Sequence, residues 1–200
     1  MYKKELIGIT GHSGILGTEI SKKLKKNNYR LYYYKSDILN KKDLTSWILK
    51  YKFDIILHLA AKVPTRIADK NFNLVEKVNF LGTKNLVEAI KQTNKKIYLF
   101  FSSSSHIYKF SNKEIDEKNK YFGISKYGKT KIKNEKFLLK NKKYINLCIG
   151  RISSLTSEQQ NSNYFLVNLI KKIKNKQKIF FKNSNIKRNF IHVEDVSNYL

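Results

Sequence analysis

The chain has 200 residues, of which 41% are hydrophobic, and this is enough to bury one core, so we expect a single globular domain with or without a fragment of another. No apolar run approaches the roughly 20 residues that cross a bilayer, and the N-terminal residues lead directly into a strand, which predicts a cytoplasmic protein without a membrane partner. The single cysteine, Cys148, excludes an internal disulfide and fits a reducing compartment.

The formal net charge of +26 raises the question of a nucleic-acid partner, because clustered cations attract phosphates. Arginine is rare among these cations, and lysine runs such as 22–26 and 171–176 place their charges between apolar helix positions, as on a solvated helix face. We therefore do not expect nucleic acid as the main partner. No histidine has the cysteine or carboxylate spacing of a metal ligand, so we expect no metal site.

Apolar stretches and helical periods alternate from the start of the chain, which is the pattern of a parallel sheet covered by helices on both faces. The predicted strands are 5–9, 31–34, 54–60, 96–102 and 144–150. The predicted helices are 14–27, 41–51, 72–93 and 119–140. Together they predict an α/β fold of Rossmann type, with a doubly wound parallel sheet, over residues 1–151.

Beyond residue 151 the alternation weakens. The polar segment 156–163 predicts a loop, and it is followed by a predicted helix near 164–175 and predicted strands near 178–181 and 189–193. The last residues have the pattern of the first turns of a helix. We therefore expect residues 152–200 to form a short, truncated part of a substrate-binding lobe.

Three glycines at a strict spacing of three, Gly11, Gly14 and Gly17, lie between the first predicted strand and the first predicted helix. Backbone N–H groups at the start of a helix can hold a phosphate, and glycine removes the Cβ that would block a close approach. The turn therefore predicts a dinucleotide site, although a turn that only joins strand to helix is the alternative. The expected dinucleotide-binding residues here are Gly11, His12, Ser13, Gly14, Ile15, Leu16 and Gly17.

Tyr127 and Lys131 form a Y-x-x-x-K pattern at the start of a predicted helix, after a serine-rich strand end. Residues four apart on a helix share one face, so the ammonium can approach the phenol. An opposite charge within about 4–6 Å lowers the pKa of a tyrosine by roughly 1–3 units from its ordinary value near 10. The pair thus predicts an acid–base group for a substrate hydroxyl or carbonyl. The alternative is two ordinary surface residues.

Several motifs occur in one order along the chain, and together they resemble the extended short-chain dehydrogenase/reductases, specifically the NAD-dependent epimerase/dehydratase branch. Members of that branch act on nucleotide sugars. The resemblance covers nearly the whole chain. The segments that carry it are TGHSGILG at 10–17, HLAA at 58–61, VNFLGTKNLVEA at 78–89, FSSSSHIY at 101–108, YGKTK at 127–131 and KRNFIHVEDV at 187–196.

The resemblance implies a catalytic set of Ser104, Tyr127 and Lys131, the last two also touching the coenzyme. Ser104 is chosen because it stands four residues before the tyrosine of its motif, and Ser102, Ser103 and Ser105 are the alternatives. The resemblance also implies further coenzyme contacts and a set of substrate contacts, with an arginine on the diphosphate of the nucleotide sugar. These are Leu59, Ala60 and Ala61 for the coenzyme, and Ser105, His106 and Arg188 for the substrate.

The end of the second predicted strand bears on the choice of coenzyme. Lys35 stands where NAD-selective sites often have an acid, and a basic residue there accommodates the additional phosphate of NADP. Asp37 and Ile38 resemble the pair that contacts adenine in family members. We therefore expect NADP, with NAD as the alternative.

The resemblance implies reversible hydride transfer at a sugar carbon, by a nucleotide-sugar epimerase or a 4-keto-sugar reductase, and we expect a homodimer. Dehydration is disfavoured because Ser105 and His106 replace the Asp-Glu pair of the sugar 4,6-dehydratases. The segment after Arg151 also lacks the Asn and the YGP turn common in the family. The alternative function is a non-catalytic NAD(P)-binding or RNA-binding member of the same fold.

Overall fold

One sheet of five parallel strands forms the centre of the protein, in the order β2-β1-β3-β4-β5. The computed structural model describes residues 5–63, 72–123, 125–161, 164–181 and 187–200. The strands are β1 Leu6–Thr10, β2 Arg30–Tyr34, β3 Ile55–His58, β4 Ile97–Ser104 and β5 Ile145–Ile152. All five correspond to predicted strands, and the α/β fold of Rossmann type is confirmed.

Helices connect these strands. Two of them, α1 Ile15–Lys26 and α2 Lys41–Tyr51, follow β1 and β2. The next helical segment has three parts, α3 Phe72–Glu76, a π-helical turn Lys77–Leu81 and α4 Gly82–Lys91. The last helix of the main sheet is α5 Lys126–Lys140. The sequence therefore predicted that each of these helical segments exists, but it predicted neither the π-helical turn nor the start of α5.

The start of α5 corrects the predicted helix 119–140. Gly123 has a φ of +65°, a left-handed conformation that interrupts a right-handed helix. Two residues later the Ser125 hydroxyl accepts a 3.0 Å hydrogen bond from the backbone N–H of Gly128, and this cap begins the helix at Lys126. The cap places Tyr127 and Lys131 in the first two turns.

The remaining elements are β6 Ser154–Thr156, α6 Phe165–Lys174, β7 Phe190–His192 and α7 Val193–Asn198, and β6 pairs with β7 in parallel. The predicted strand 178–181 is wrong, because these residues form no strand and Phe180 is 85% exposed rather than part of a core. The short strand β6 was not predicted. Three residues are too few to produce a recognisable alternation.

Side chains alternate between two cores on opposite faces of the sheet. Ile56 and Leu99 face the core beneath α2, α4 and α5, whereas Ile9 and Leu57 face the core beneath α1. The second core also includes Val193 and Val196 from α7, which contacts α1. Within the described ranges, no helix is long and apolar enough to cross a membrane.

The order of the strands locates a crevice. The chain leaves β1 into α1 on one face of the sheet and returns through α3 and α4 after β3 on the other, so the carboxyl ends of β1 and β3 lie where the winding reverses. Ligands of open α/β sheets bind at such a position. The glycine turn and HLAA both begin at this edge.

Candidate active site

The glycine turn joins β1 to α1, and its glycines have different surroundings. Gly11 has a φ of +76°, and a Cβ there would lie 2.5 Å from the backbone nitrogen of Ala60. A Cβ on Gly17 would lie 2.3 Å from the carbonyl oxygen of Gly11. At Gly14 the nearest atom is 3.4 Å away, which is an ordinary contact. The fold itself therefore requires Gly11 and Gly17, whereas Gly14 leaves open surface.

The open surface at Gly14 is the N-terminus of α1. Gly14 is the N-cap residue, it supplies no side-chain cap, and the first turn of α1 carries no acidic residue. The first N–H groups of a helix lack partners within the helix and carry its positive dipole end. A diphosphate fits this end without a Cβ in its way, so the residues present fit the dinucleotide that the sequence predicted.

A buried chain of hydrogen bonds lies beneath the turn, and sequence reasoning did not identify it. The Thr83 hydroxyl donates a 2.8 Å hydrogen bond to the carbonyl of Asn79, so it accepts from Nε2 of His58 at 2.9 Å. Nδ1 of His58 then accepts from the Thr10 hydroxyl at 2.7 Å. Burial, with the charge of Lys131 in a lesser part, lowers the pKa of His58 to about 3. The ring is therefore neutral and joins the ends of two strands to α4.

Asn79 in the π-helical turn fixes the segment after β3. Its side chain accepts from the backbone N–H of Lys62 at 2.8 Å and donates to the carbonyl of the same residue at 3.0 Å. Leu59 donates its N–H to the carbonyl of Thr10, and Ala60 donates its N–H to the Thr10 hydroxyl at 3.4 Å. Leu59, Ala60 and Ala61 are thus held next to the glycine turn.

Tyr127 and Lys131 lie on the same face of α5, as their spacing predicted. Lys131 is 2% exposed, and its ammonium donates a 2.6 Å hydrogen bond to the carbonyl of Ser102. The same nitrogen lies 4.7 Å from the centre of the Phe101 ring and 5.7 Å from the centre of the Tyr127 ring. The helix therefore places a buried ammonium beside the phenol.

The predicted lowering of the Tyr127 pKa is wrong for this structure. Burial, and to a smaller extent Tyr164, raises the pKa of Tyr127 above its ordinary value. Burial also lowers the pKa of Lys131 to about 7, and the negative charge of Glu135 opposes this shift. Desolvation of the charged form therefore outweighs the attraction between the two side chains. Sequence spacing reveals a shared helix face but not the depth of burial.

The serines at the end of β4 differ in their hydrogen-bond partners. Ser102 donates to the carbonyl of His58, and Ser103 donates to a carboxylate oxygen of Glu135. Ser104 accepts a 3.3 Å bond from the backbone N–H of His106 and, within the described ranges, donates to no other side chain. Ser104 is also the last residue of β4, at the carboxyl edge of the sheet. Of the candidate hydroxyls in this strand, that of Ser104 is the one with a proton left to donate.

The turn after β4 carries Ser105 and His106. It is a 3-10 turn, Ser105–Ile107, in which the His106 ring meets the Tyr127 ring edge to face at 5.8 Å between centres. Nδ1 of His106 lies 3.3 Å from the Ser125 hydroxyl. Burial lowers the pKa of His106, and the positive charge of the exposed Arg188 adds to this shift. The structure thus places His106 against Tyr127, and the charge of Arg188 acts on the same imidazole ring.

The predicted coenzyme contacts after β2 differ in their accessibility. Lys35 is exposed directly after the strand, and the Asp37 carboxylate accepts a 2.9 Å bond from the N–H of Leu39. Ile38 is 7% exposed and packs in the core beneath α2 and α4, so its side chain offers little surface to an adenine. The His12 ring packs against the Tyr33 ring of β2, with 4.9 Å between the ring centres and an angle of 30° between the ring planes. Lys35 and Asp37 therefore stay accessible to a ligand at this edge, and Ile38 does not.

Solved structures of several sugar-nucleotide enzymes have the same fold. The UDP-glucose 4-epimerase of Thermotoga maritima, solved with UDP-glucose, superimposes with a TM-score of 0.86 at 19% identity, over 96% of this chain and 71% of its own. The UDP-glucose 4-epimerase of Thermus thermophilus, solved with NAD, gives 0.83 at 16% identity, over 96% and 72%. A dTDP-4-dehydrorhamnose reductase of Bacillus anthracis, solved with NADP, gives 0.77 at 23% identity, over 89% and 62%.

Sequence comparison is more specific than the fold. The ADP-L-glycero-D-manno-heptose-6-epimerase of Brachyspira hyodysenteriae is 32% identical over 229 residues, which cover 96% of this chain and 69% of that protein. The UDP-glucose 4-epimerase of Mycoplasma genitalium is 30% identical over 202 residues, covering 90% of this chain and 58% of that protein. The model of the NAD dependent epimerase/dehydratase family matches residues 7–200, and the chain belongs to that family.

Proposed function

We propose that this protein is an NAD(P)-dependent nucleotide-sugar epimerase or 4-keto-sugar reductase. The observation that carries the proposal is the buried Lys131 ammonium, 5.7 Å from the centre of the Tyr127 ring and hydrogen-bonded to β4 two residues before Ser104. Burying a lysine to 2% exposure costs folding free energy, so its position beside a phenol and close to the Ser104 hydroxyl supports a role in chemistry rather than in packing.

The N-terminus of α1 at Gly14 would hold the coenzyme diphosphate, and Leu59–Ala61 would contact the same dinucleotide at the end of β3. When bound, the nicotinamide supplies the hydride acceptor or donor. We infer NADP as the preferred coenzyme, because the exposed Lys35 can pair with its additional phosphate. Family structures with NAD and with NADP both have this fold.

Ser104 and Tyr127 would share the substrate oxygen. The Ser104 hydroxyl donates a hydrogen bond that fixes this oxygen, while the Tyr127 hydroxyl exchanges its proton with it. With its raised pKa, Tyr127 is protonated at neutral pH and suited to donate to a carbonyl during reduction. In the oxidative direction Tyr127 must first lose its own proton to solvent, and the positive charge of Lys131 favours the phenolate, which then accepts the proton of the substrate hydroxyl.

The exposed Arg188 would bind the diphosphate of a nucleotide sugar with its planar fork of donors, and Ser105 and His106 would contact the sugar. The positive charge of Arg188 reaches His106, which packs on Tyr127. A diphosphate at Arg188 and a sugar at Tyr127 can therefore belong to one substrate. The homodimer and the cytoplasmic location stay predictions of the sequence.

The proposal is tested with purified protein, NADH, NADPH, a panel of UDP-sugars and a panel of 4-keto-sugar nucleotides. Tyr127→Phe is expected to bind the coenzyme with unchanged affinity and to lose about 10²- to 10⁴-fold in turnover. Tyr199→Phe removes the same hydroxyl from an 87% exposed side chain and serves as the matched control. Coenzyme binding without any turnover of these substrates would instead make the protein a non-catalytic binding protein.

Coenzyme choice has its own test. Lys35→Asp is expected to weaken NADPH binding relative to NADH at least about tenfold, because the carboxylate repels the additional phosphate. Lys41→Asp makes the same charge change at the exposed first residue of α2 and should alter both affinities equally. An unchanged ratio in Lys35→Asp would contradict the assignment of NADP.

A further inference from the structure

A buried ion pair lies behind the candidate catalytic residues and is not explained by the proposed chemistry. The Glu135 side chain is fully buried, and its carboxylate pairs with Arg151 at 2.8 Å, where the arginine side chain is 15% exposed. Nε of Arg151 lies 3.3 and 3.2 Å from the two carboxylate oxygens, so the contact is a fork. The hydroxyls of Ser103 and Tyr121 also donate to Glu135. Every carboxylate oxygen therefore has at least two donors.

The pair connects three elements that carry the site. Glu135 stands on α5 one helical turn after Lys131, and Arg151 pairs in register with Ser103 across β5 and β4. Ser103 directly precedes Ser104. A shift of the carboxylate would thus move the helix that carries Tyr127 relative to the strand end that carries the candidate hydroxyl.

Arg151 also fixes the segment between β4 and α5. Its guanidinium donates to the Tyr108 hydroxyl at 2.6 Å, to the carbonyl of Glu117 at 2.9 Å and to the Tyr121 hydroxyl at 3.2 Å. The guanidinium also lies over the rings of both tyrosines, at 5.2 and 5.3 Å from their centres. The same pair therefore positions the chain segment that leads from Ser104 to Tyr127.

The surroundings of Lys131 leave Glu135 an electrostatic role as well. On α5, the Tyr127 ring lies 5.7 Å from the ammonium, and Glu135 stands one helical turn after Lys131. The neutral His58 of β3 and, from β4, the Ser102 carbonyl and the Phe101 ring complete these surroundings. Among the described residues, Glu135 is the carboxylate whose charge acts on Lys131. A buried ammonium needs an opposite charge to stay protonated near neutral pH.

We propose that Glu135 is a positioning residue, whose buried carboxylate ties β4, α5 and β5 together and supplies a negative charge one helical turn from the Lys131 ammonium. Its catalytic meaning rests on the proposed function, but its effect on Lys131 is a property of the folded chain alone. One buried carboxylate thus influences both the charge of Lys131 and the relative positions of β4, α5 and β5.

Two variants that break the same ion pair separate this role from simple packing. Glu135→Gln removes the negative charge and is expected to lower the pKa of Lys131 by about one unit. Arg151→Gln removes the positive charge and is expected to leave the pKa of Lys131 unchanged or higher. Both variants lose the same salt bridge, so a purely structural role would shift the pKa of Lys131 in one direction in both.

The measurement is the ¹³C NMR titration of the lysine Cε in labelled full-length protein, with the Lys131 signal identified by its loss in Lys131→Met. Glu76→Gln is the matched control. Glu76 pairs at 2.9 Å with Lys133, which lies on α5 like Lys131, and this ion pair is exposed. This variant should leave the titration of Lys131 unchanged.

An unchanged Lys131 titration in Glu135→Gln, or a lowered pKa of Lys131 in Arg151→Gln, would overturn the proposal. If Glu135→Gln does not fold, Arg151→Gln still decides by the direction of its shift. The titration needs neither coenzyme nor substrate, so a protein that lacks the proposed activity can still show the effect of Glu135. Where turnover is present, the acidic limb of its pH profile should move with the titration in Glu135→Gln.

Discussion

The Thr10 hydroxyl lies 2.7 Å from Nδ1 of His58, and this contact joins the last residues of β1 and β3 directly beneath the glycine turn. Because Nε2 of His58 donates to Thr83 at 2.9 Å, protonation of the ring would place a second donor against the Thr10 hydroxyl at a fully buried position. The stability of this edge of the sheet is thus linked to the neutral state of one histidine.

The free energy of unfolding should fall as the pH decreases from about 6.5 to about 3. In this range the unfolded chain takes up a proton at His58 that the folded chain does not bind, at about 1.4 kcal/mol per pH unit. Above pH 6.5 the ring is neutral in both states and makes no contribution. Urea unfolding at several pH values measures the slope. His58→Asn should reduce it, whereas Thr83→Val should destabilise the fold and keep the slope.

A glycine-to-alanine substitution is expected to have different effects at two positions of the glycine turn. Gly17→Ala should destabilise the fold by about 1–3 kcal/mol, because its Cβ would meet the carbonyl oxygen of Gly11 at 2.3 Å. Gly14→Ala should change stability by less than about 0.5 kcal/mol and weaken NADPH binding at least about tenfold. Denaturant unfolding and fluorescence titration separate the two effects. Tight NADPH binding by Gly14→Ala would show that the diphosphate does not bind at the N-terminus of α1.

Lys131→Met should be more stable than the natural protein by roughly 1–3 kcal/mol at pH 7, because burial has lowered the pKa of this lysine to about 7. The unfolded chain holds the proton up to about pH 10.5, so the gain should shrink as the pH rises from 7 and vanish above 10.5. Thermal unfolding across this range measures the trend, and turnover should be lost. A less stable variant at every pH would show that the ammonium contributes to packing.

Arg188→Gln should raise the pKa of His106, because the positive charge of Arg188 contributes to the low value. NMR titration of the histidine Cε1 proton measures this shift, and His106→Asn identifies the signal. Lys187→Gln removes an equal charge from the adjacent exposed residue and should produce a smaller shift. The KM for a nucleotide sugar should rise in Arg188→Gln with a smaller change in kcat. Equal shifts of the His106 pKa in Arg188→Gln and Lys187→Gln would show that Arg188 has no specific effect on His106.

The sequence predicted the sheet well because each strand is a short apolar run with its own turn signals. It also predicted that Tyr127 and Lys131 share a helix face, since a spacing of four residues determines this in any α-helix. The start of α5 was missed because the helical pattern continues through Gly123, whose left-handed backbone has no signature in the apolar spacing.

Contacts between distant residues were beyond such patterns. Thr10 and His58 meet because of the register of β1 and β3, and Ser103 meets Arg151 because of the register of β4 and β5. The pattern of one strand does not specify its register against another. Burial also depends on the whole fold, and the pKa of Tyr127 is therefore raised where the spacing alone predicted a lowered value.

The π-helical turn Lys77–Leu81 holds one more residue than an α-helical segment of the same height. Deleting one residue there would rotate the helix on one side of the deletion by about 100° relative to the other. Asn79 could then no longer hydrogen-bond Lys62 at the same time as Thr83 hydrogen-bonds His58. The length of this segment is thus constrained by two contacts at once, and homologous sequences that share both contacts should align here without gaps.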